Sequence, residues 1–215
     1  MASDRSADRE RMVANQIAGR GVRDGAVLAA MRAVPRERFV APDLAELAYE
    51  DQPLPIGSGQ TISQPYIVAF MLEAAEVKTG ERILEVGAGS GYAAAVASRI
   101  AARVYAIERH ASLAEAAQQR FDELGYDNIE LSVGDGTRGK PDAAPFDAIL
   151  VAAGAPIVPV ALKEQLAIGG RLVVPVGKSR LQDLLKITRR SGSDYEETNL
   201  GAVVFVSLIG EQGWE

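Results

Sequence analysis

The chain has 215 residues, 47% hydrophobic and 24% charged, which is enough apolar material for one substantial buried core. Its formal net charge of −6 disfavours binding to nucleic-acid phosphates, and the absence of cysteine excludes disulfides, thiolate metal sites and cysteine nucleophiles. The single histidine, His110, excludes a multi-histidine metal site, and the lack of cysteine agrees with a cytoplasmic protein.

The N-terminal part of the chain is predicted to be helical. Between residues 4 and 47, apolar side chains recur at helical spacing in two segments, which Gly21 and Pro35 delimit. The first twelve residues are charged and lack the apolar stretch of a signal peptide. The uncharged run at residues 148–162 is too short to cross a membrane and contains glycine and proline, so no membrane partner is expected.

Residues 51–63 are predicted to form a loop, because they are rich in proline and glycine. Their composition indicates a shaped surface rather than a strand. Ser63 is predicted to cap the N-terminus of the next helix, with Pro65 in its first turn and the helix continuing through Leu72. This capping role is the structural alternative to any role of Ser63 in chemistry.

The middle of the chain alternates strands with helices. This alternation predicts βαβ units and therefore an α/β fold, with a parallel sheet between two layers of helices. The predicted strands are residues 82–86, 103–107, 128–133, 146–151 and 171–176, and the predicted helices are residues 92–100, 112–124 and 158–166.

The tail of the chain predicts an antiparallel hairpin at the edge of this sheet. Residues 184–188 and 202–208 are apolar and flank the polar stretch SGSDYEETN. The order of these last two strands in the sheet stays open. We expect residues 1–215 to form a single domain, with N-terminal helices and a loop over residues 1–64 and a ligand-binding core over residues 65–215.

A glycine-rich turn follows the first core strand, in the sequence ILEVGAGSGY (83–92). Gly87, Gly89 and Gly91 allow a tight turn into a helix and a close approach of a ligand to the backbone. The spacing is G-x-G-x-G, and Tyr92 occupies the position at which a dinucleotide fingerprint has its third glycine. The pattern therefore argues against NAD.

Acidic residues occur at the ends of three successive strands. Glu85 precedes the glycines and suits the positive end of a zwitterionic ligand, and Glu108, 21 residues after Gly87, suits ribose hydroxyls. Asp135 and Gly136 offer an acceptor for an adenine amino group beside flexible backbone. This arrangement resembles the S-adenosylmethionine site of class I methyltransferases. The cofactor residues predicted in it are Glu85, Gly87, Gly89, Ser90, Gly91, Glu108, Arg109, Asp135 and Gly136.

Other interpretations remain at this point. The glycines can serve strand–helix packing alone, with the acids on solvated strand ends. The chain can be a non-catalytic S-adenosylmethionine-binding protein, an NAD-dependent oxidoreductase, or a methyltransferase that acts on a small molecule or on another protein site. His110 is interpreted as an exposed residue at a strand end, with a backbone contact near the cofactor as the alternative.

The segment PLPIGSGQTISQPY (53–66) resembles the signature of the protein-L-isoaspartate O-methyltransferase family, and its most specific part is TISQP. The resemblance extends along nearly the whole chain. Ser207, where many relatives have proline, and Ser58, often a bulkier residue, depart from the pattern. Further similar segments are residues 27–40, 84–91, 146–156, 165–177 and 211–214.

This resemblance implies a three-layer α/β/α fold with a mostly parallel Rossmann-like methyltransferase sheet. It implies transfer of a methyl group from S-adenosylmethionine to the α-carboxylate of L-isoaspartyl residues in damaged proteins, after which the ester collapses to a succinimide. By similarity, Ser63 is the active-site serine, Thr61 and Ile62 contact both cofactor and substrate, and Gln212 belongs to a C-terminal segment that closes over the site. Family members are typically cytosolic and often monomeric.

The expected chemistry agrees with the residues available. A carboxylate has a pKa near 4 and is ionised at neutral pH, so its methylation requires no general base. It requires alignment with the methyl group and removal of water. In this interpretation Ser63 is a positioning residue rather than a covalent nucleophile.

Overall fold

The centre of the molecule is a seven-stranded sheet, preceded in the chain by a separate two-stranded hairpin. The computed structural model describes residues 5–178 and 181–215. The hairpin consists of β1 (Leu54–Gly57) and β2 (Gln60–Ile62). The strands of the large sheet are β3 (Arg82–Val86), β4 (Arg103–Glu108), β5 (Ile129–Val133), β6 (Phe146–Val151), β7 (Leu166–Lys178), β8 (Leu181–Arg189) and β9 (Tyr195–Val203).

The strand order across the large sheet is β5-β4-β3-β6-β7-β8-β9. The five strands from β5 to β7 are parallel, and β8 and β9 add antiparallel pairs at one edge. The predicted α/β class, with a mostly parallel sheet and an antiparallel C-terminal edge, is therefore confirmed. The order of the last two strands, left open by the sequence, follows the chain. The strand order reverses at β3, which is where open sheets of this kind form their ligand crevice.

The central strands are buried on both faces, which explains their nearly continuous apolar sequences. In β3, Ile83 and Leu84 are both fully buried but contribute to cores on opposite sides of the sheet. The predicted bounds of β3 and β6 match the structure, because short apolar runs between glycine- or proline-rich segments mark such strands clearly.

Helices cover the two faces of the sheet unequally. One face carries most of the helices, and the other carries a short helix, several single turns of 3-10 helix and the C-terminal segment. No helix in the described parts of the chain has the length and apolar character that crossing a membrane requires. The helices are α1 (Ser6–Arg11), α2 (Gly25–Ala33), α3 (Pro65–Ala74), α4 (Tyr92–Ser98), α5 (Ala111–Leu124) and α6 (Val160–Glu164).

The N-terminal segment is helical as predicted, but it is broken into short pieces. After α1, the chain forms a π-helical stretch over Met12–Ile17 and 3-10 turns over Ala18–Arg20, Arg36–Phe39 and Pro42–Leu47. Residue 4, the predicted start, lies outside the described residues. Met12, Val13 and Ile17 are buried in the same core as α3 and α4, so the extension packs against the sheet's thicker layer.

The predicted loop at residues 51–63 was wrong in one respect. Pro55 pairs with Thr61 and Leu54 with Ile62 in an antiparallel ladder, so the segment is a hairpin and not an irregular surface. The predicted N-cap was also wrong: Gln64 precedes α3, which has Pro65 in its first turn, and neither Ser63 nor Gln64 caps this end with its side chain. The Asp51 carboxylate, from outside the helix, accepts the N–H of Tyr66 at 3.0 Å, so this end of α3 is capped without Ser63.

The C-terminal strands also differ from the prediction. The strand β9 begins at Tyr195, inside the polar stretch that the sequence assigned to a turn, and it ends at Val203, before most of the predicted strand. An edge strand exposed to water tolerates polar residues, which removes the apolar alternation on which the prediction depended. The helix predicted at residues 158–166 is shorter, over Val160–Glu164, and β7 begins already at Leu166.

Candidate active site

A deep cavity, the central cavity, lies at the carboxyl ends of β3, β4 and β6. The hairpin, α3 and residues 205–209 enclose it on the other sides. It brings together most of the residues predicted for cofactor and substrate. Those that line it are Thr61, Ile62, Ser63, Glu85, Gly87, Gly89, Ser90, Glu108, Arg109 and Gly136.

The carboxyl group of Glu85 is buried at the base of the central cavity, with the residue 2% exposed. Burial, and to a smaller extent the nearby Glu108 carboxylate, raise the pKa of Glu85 to about 8, while a hydrogen bond from the Ala94 backbone opposes the shift. Its Oε2 atom has no hydrogen-bond partner among the described residues. A buried, unpaired carboxylate oxygen facing a cavity suits a ligand that brings a cationic donor.

The Glu108 carboxylate is buried at the end of β4 and is held by backbone groups on both sides. Its Oε2 accepts a hydrogen bond from Gly89 N at 2.8 Å, and its Oε1 accepts one from His110 N at 2.9 Å. Each oxygen keeps a further lone pair for a ligand. The acid therefore fixes the glycine turn and the start of α5, and it remains able to accept hydrogen bonds from hydroxyl groups.

The glycines of the turn serve two different purposes. Gly87 and Gly89 line the central cavity, where the backbone is open to a ligand. Gly91 does not line it: this residue has φ of +87° at the N-terminus of α4, and a Cβ there would lie 2.6 Å from the Phe121 ring. Gly91 is thus required for packing against α5, as the structural alternative in the sequence analysis held.

The hairpin places residues 61–63 at the mouth of the central cavity. Ile62 is buried, while Thr61 is exposed and Ser63 is half-buried. The Ser63 hydroxyl makes no hydrogen bond to any described residue. The Ser63 carbonyl, in contrast, accepts a hydrogen bond at 3.0 Å from Nη2 of Arg36, whose fully buried guanidinium also reaches the carbonyls of Ala48 and Gln52.

Besides Gly91, two predicted site residues do not line the central cavity. The carboxylate of Asp135 accepts hydrogen bonds from Thr137 and from the backbone N–H of Glu211 at 2.8 Å, so it holds the chain's C-terminal segment. The Gln212 side chain accepts a hydrogen bond from Ala161 N at the start of α6. Both side chains therefore have partners within the protein. The partner of Asp135 lies 76 positions later in the chain, which returns to the end of β5.

His110 is half-buried and lines the central cavity, so its interpretation as an exposed residue was wrong. Its Nε2 atom is buried without a hydrogen-bond partner among the described residues. The alternative, a backbone contact near the site, agrees with its N–H donation to Glu108.

A second concavity, the outer groove, adjoins the central cavity and opens towards the surface. The two share Thr61, Ser63, Ala152, Phe205 and Val206. The groove thus continues from the Ser63 hydroxyl to the outside. Its other described lining residues are Arg20, Pro53, Gln64, Tyr66, Ile67, Leu181, Ala202, Val203 and Val204.

Comparison with known families agrees with this geometry. A family model described as protein-L-isoaspartate(D-aspartate) O-methyltransferase matches residues 7–213. The chain belongs to this family. It is 58% identical over 207 residues to protein-L-isoaspartate O-methyltransferase 2 of Pelobacter propionicus, covering 96% of this chain and 92% of the relative. It is 57% identical over 214 residues to protein-L-isoaspartate O-methyltransferase 1 of Rhodopseudomonas palustris, covering 99% of this chain and 87% of the relative.

Solved structures are similar as well. One of a protein-L-isoaspartate O-methyltransferase superposes with a TM-score of 0.85 and 30% identity, covering 95% of this chain and 67% of the other. A Plasmodium falciparum protein assigned to the same activity, solved with S-adenosyl-L-homocysteine, gives a TM-score of 0.82 and 28% identity over 94% of this chain and 98% of that one. The predicted family and the predicted class of S-adenosylmethionine-dependent carboxyl methyltransferase are confirmed, and the NAD alternative is set aside.

Sequence reasoning missed several parts of this methyltransferase's site. Arg36 was not predicted as a site residue, because a charged residue in a helical segment is usually solvated. The apolar wall of the central cavity includes Leu72 of α3 and Phe205, which the sequence placed only in a helix and a strand. The arginine carried one usable signal, since it follows proline in the family-like segment VPRERFV at residues 34–40.

Proposed function

We propose that this chain methylates the free α-carboxylate of L-isoaspartyl residues in damaged proteins and peptides, using S-adenosylmethionine, and so starts their repair through a succinimide. The observation that supports this most is the shared cavity: the hydroxyl-bearing residues Thr61 and Ser63 face the same space as Glu85 and Glu108. Family membership supplies the reaction, and the cavity supplies a place where its two reactants can meet.

The residues of the central cavity fit the proposed cofactor. The unpaired Oε2 of Glu85 suits the ammonium group of the methionine part, and the Glu108 carboxylate suits the two ribose hydroxyls. Gly87 and Gly89 leave the backbone open beside them. The bound cofactor supplies a methyl group made electrophilic by its positively charged sulfur.

The adenine contact proposed from the sequence is revised. The Asp135 carboxylate already accepts hydrogen bonds from Thr137 and Glu211, so we assign it to holding the C-terminal segment. Backbone groups at Gly136, which does line the central cavity, are the proposed polar neighbours of the base. A side chain at Gly136 would collide with Val86, because a Cβ would lie 2.4 Å from Val86 Cγ1.

The chain's own contribution to the reaction is to position and desolvate the substrate. The substrate carboxylate is ionised at neutral pH and needs no base. The Ser63 hydroxyl, which is free of internal partners, donates a hydrogen bond to one carboxylate oxygen and turns the other towards the methyl group. Ile62, Leu72 and Phe205 exclude water around it. Alignment of this kind is worth up to about 7–11 kcal/mol of the barrier.

The outer groove is the proposed path of the substrate's flanking residues, because it runs outward from Ser63. Because the groove is open to the surface, an extended segment of the substrate can lie along it. We further propose a monomeric cytoplasmic enzyme with no nucleic-acid or membrane partner. The net charge of −6 supports the absence of a nucleic-acid partner, and the lack of cysteine agrees with the cytoplasm. Light scattering coupled to gel filtration tests the monomer.

The deciding experiment compares two peptides that differ at one residue. Radiolabelled S-adenosylmethionine is incubated with the enzyme and a peptide that contains either L-isoaspartate or normal L-aspartate at the same position. We expect label in the isoaspartyl peptide alone, lost as methanol when the ester collapses. Equal labelling of the two peptides would overturn the substrate assignment.

A further inference from the structure

The outer groove is lined by a cationic side chain as well as by Ser63. Among the described residues that line this groove, Arg20 alone carries a charge. The protein as a whole has a net charge of −6, so the charge of this residue on the proposed substrate path is opposite in sign to the net charge. This local charge is the feature that requires an explanation.

Arg20 is held in one orientation by two contacts, with Tyr66 and with Asp51. Its guanidinium lies 3.6 Å from the centroid of the Tyr66 ring, and that ring stacks on Phe70 with centroids 5.8 Å apart. Nη1 of Arg20 pairs with Asp51 Oδ2, while Asp51 Oδ1 accepts the N–H of Tyr66 at 3.0 Å. A cation fixed by stacking and by one ion pair loses little further freedom when it binds a partner.

The arginine keeps donors for a ligand although it has an internal partner. The Asp51 carboxylate is directed inward, with its side chain 18% exposed against 49% for Arg20, and Asp51 does not line the groove. Nε and Nη2 of Arg20 make no hydrogen bond to any described residue. The positively charged member of this ion pair therefore faces the groove, and a carboxylate is the group that suits this cation.

The position of Arg20 relative to Ser63 sets the range of this contact. Tyr66, on which Arg20 stacks, follows Ser63 by three residues, so their Cα atoms are at most about 11 Å apart. An extended peptide covers such a distance in about three residues. The guanidinium lies on the Tyr66 ring rather than at its Cα, and the side chain of a flanking aspartate or glutamate supplies the additional reach. The contact therefore suits a carboxylate within about three residues of the isoaspartate.

We propose that Arg20 is a specificity-determining residue, which selects isoaspartyl substrates that carry a carboxylate within about three residues of the damaged position. This inference rests on the proposed function. The carboxylate can belong to an aspartate or glutamate side chain or to a peptide's C-terminus, and the two sources share one chemistry.

The test uses heptapeptides with a central L-isoaspartate and an amidated C-terminus, in which one position before or after it is glutamate, glutamine or lysine. A non-amidated glutamine peptide reports the C-terminal carboxylate separately. Two quantities are measured for each peptide: kcat/KM, and the Kd of its fluorescein-labelled form by anisotropy in the presence of S-adenosylhomocysteine. Both are compared in low and high salt.

We expect the wild-type enzyme to prefer a carboxylate peptide over its neutral counterpart by about twofold to fivefold, less in high salt, through Kd and KM rather than kcat. Arg20→Gln should bring this ratio to one, and Arg20→Glu should reverse it in favour of lysine, a result that misfolding does not produce. Arg23→Gln is the matched control: Arg23 is exposed in the same segment but does not line the groove, so the wild-type ratio should persist.

The outcomes separate the two proposals. If wild type and Arg20→Gln discriminate equally, or if wild type shows no preference at any position, the role of Arg20 is wrong while the proposed function stands. If wild type methylates none of the isoaspartyl peptides, including the neutral ones, the proposed function itself fails.

Discussion

At the scale of single residues, Glu85 shows that a binding site can lower the stability of the ligand-free protein. Its carboxyl group is buried with one oxygen unpaired, and burial raises its pKa to about 8, against 4.5 for the ordinary group. The folded protein therefore holds a proton between these two pH values that the unfolded chain releases. Since the folded state binds more protons in this window, stability falls as the pH rises from about 4.5 to about 8.

Replacing this acid should remove the pH dependence. We expect Glu85→Gln to be more stable than wild type at pH 9 by up to about 5 kcal/mol, with the difference vanishing near pH 4. Urea unfolding at several pH values measures it, and Glu115→Gln, on the exposed face of α5, is the control that should follow wild type. A stability difference that is the same at pH 4 and pH 9 would contradict the assigned pKa.

The same variant should bind the cofactor poorly, because it lacks the charge that an ammonium group needs. Wild-type binding at pH 7 should release up to about one proton as Glu85 ionises. Calorimetry in buffers of different ionisation enthalpy reports this release, which should be absent in Glu85→Gln.

Ser63 is the residue on which the positioning argument depends. We expect Ser63→Ala to lower kcat by about tenfold to a hundredfold, because the substrate carboxylate is then aligned less well, and to leave cofactor affinity nearly unchanged. Steady-state kinetics and calorimetry measure the two. Ser58→Ala, in the exposed turn of the same hairpin, should leave both unchanged. Loss of cofactor binding in Ser63→Ala would mean that the serine has a different role.

At the scale of elements, one buried arginine binds the residue that follows the hairpin, in addition to the packing of Leu54 and Ile62 in the core. Burial lowers the pKa of the Arg36 guanidinium, and its hydrogen bonds to the carbonyls of Ala48, Gln52 and Ser63 offset that cost. None of these three carbonyls lies in a helix or a strand. The arginine therefore helps to fix the position of residues 61–63 beside the central cavity.

Removing the guanidinium should loosen the hairpin. Arg36→Met removes the partner of three carbonyls, among them that of the buried Ala48, and we expect it to lower the free energy of unfolding by about 2–5 kcal/mol. The exposed Arg38→Met, which loses only a surface pair with Glu123, should cost less than about 1 kcal/mol. Equal destabilisation of the two variants in urea unfolding would argue that the buried arginine contributes no more than a surface charge.

At the scale of the whole molecule, the C-terminal segment closes the structure over the sheet's carboxyl edge. Burial alone would raise the pKa of Asp135, but hydrogen bonds from Glu211 N and from Thr137 outweigh it and hold that pKa below its ordinary value. The Trp214 indole donates to the carbonyl of Gly154 at 3.0 Å. These hydrogen bonds join the C-terminal segment to the residues that follow β5 and β6, beside the central cavity.

Asp135→Ala should release this segment. The expected cost is about 1–3 kcal/mol at neutral pH, and in wild type the corresponding stabilisation should be lost as the pH falls below about 4, because a depressed pKa stabilises only the ionised state. Trp214 is the only tryptophan, so its fluorescence should shift to longer wavelength in the variant. Asp142→Ala, an exposed aspartate in a neighbouring turn, is the control and should keep the wild-type spectrum.

The sequence alone determined the α/β class, the bounds of β3 and β6, and the acids Glu85 and Glu108 beside the glycine turn. These features depend on local rules: apolar runs form buried strands, and parallel strands bring their carboxyl ends to one edge. The hairpin signature predicted the family, because its residues are contiguous in the chain.

Only the tertiary structure decided the roles of Asp135, Gln212 and Arg36, and the fact that Ser63 does not cap α3. Asp135 is engaged by a residue 76 positions later, and Arg36 reaches the Ser63 carbonyl across 27 positions. The local sequence around a polar residue is the same whether its side chain faces a ligand or a distant backbone group. Which partner it meets is fixed by the packing of segments that are far apart in the chain, and no local pattern records that choice.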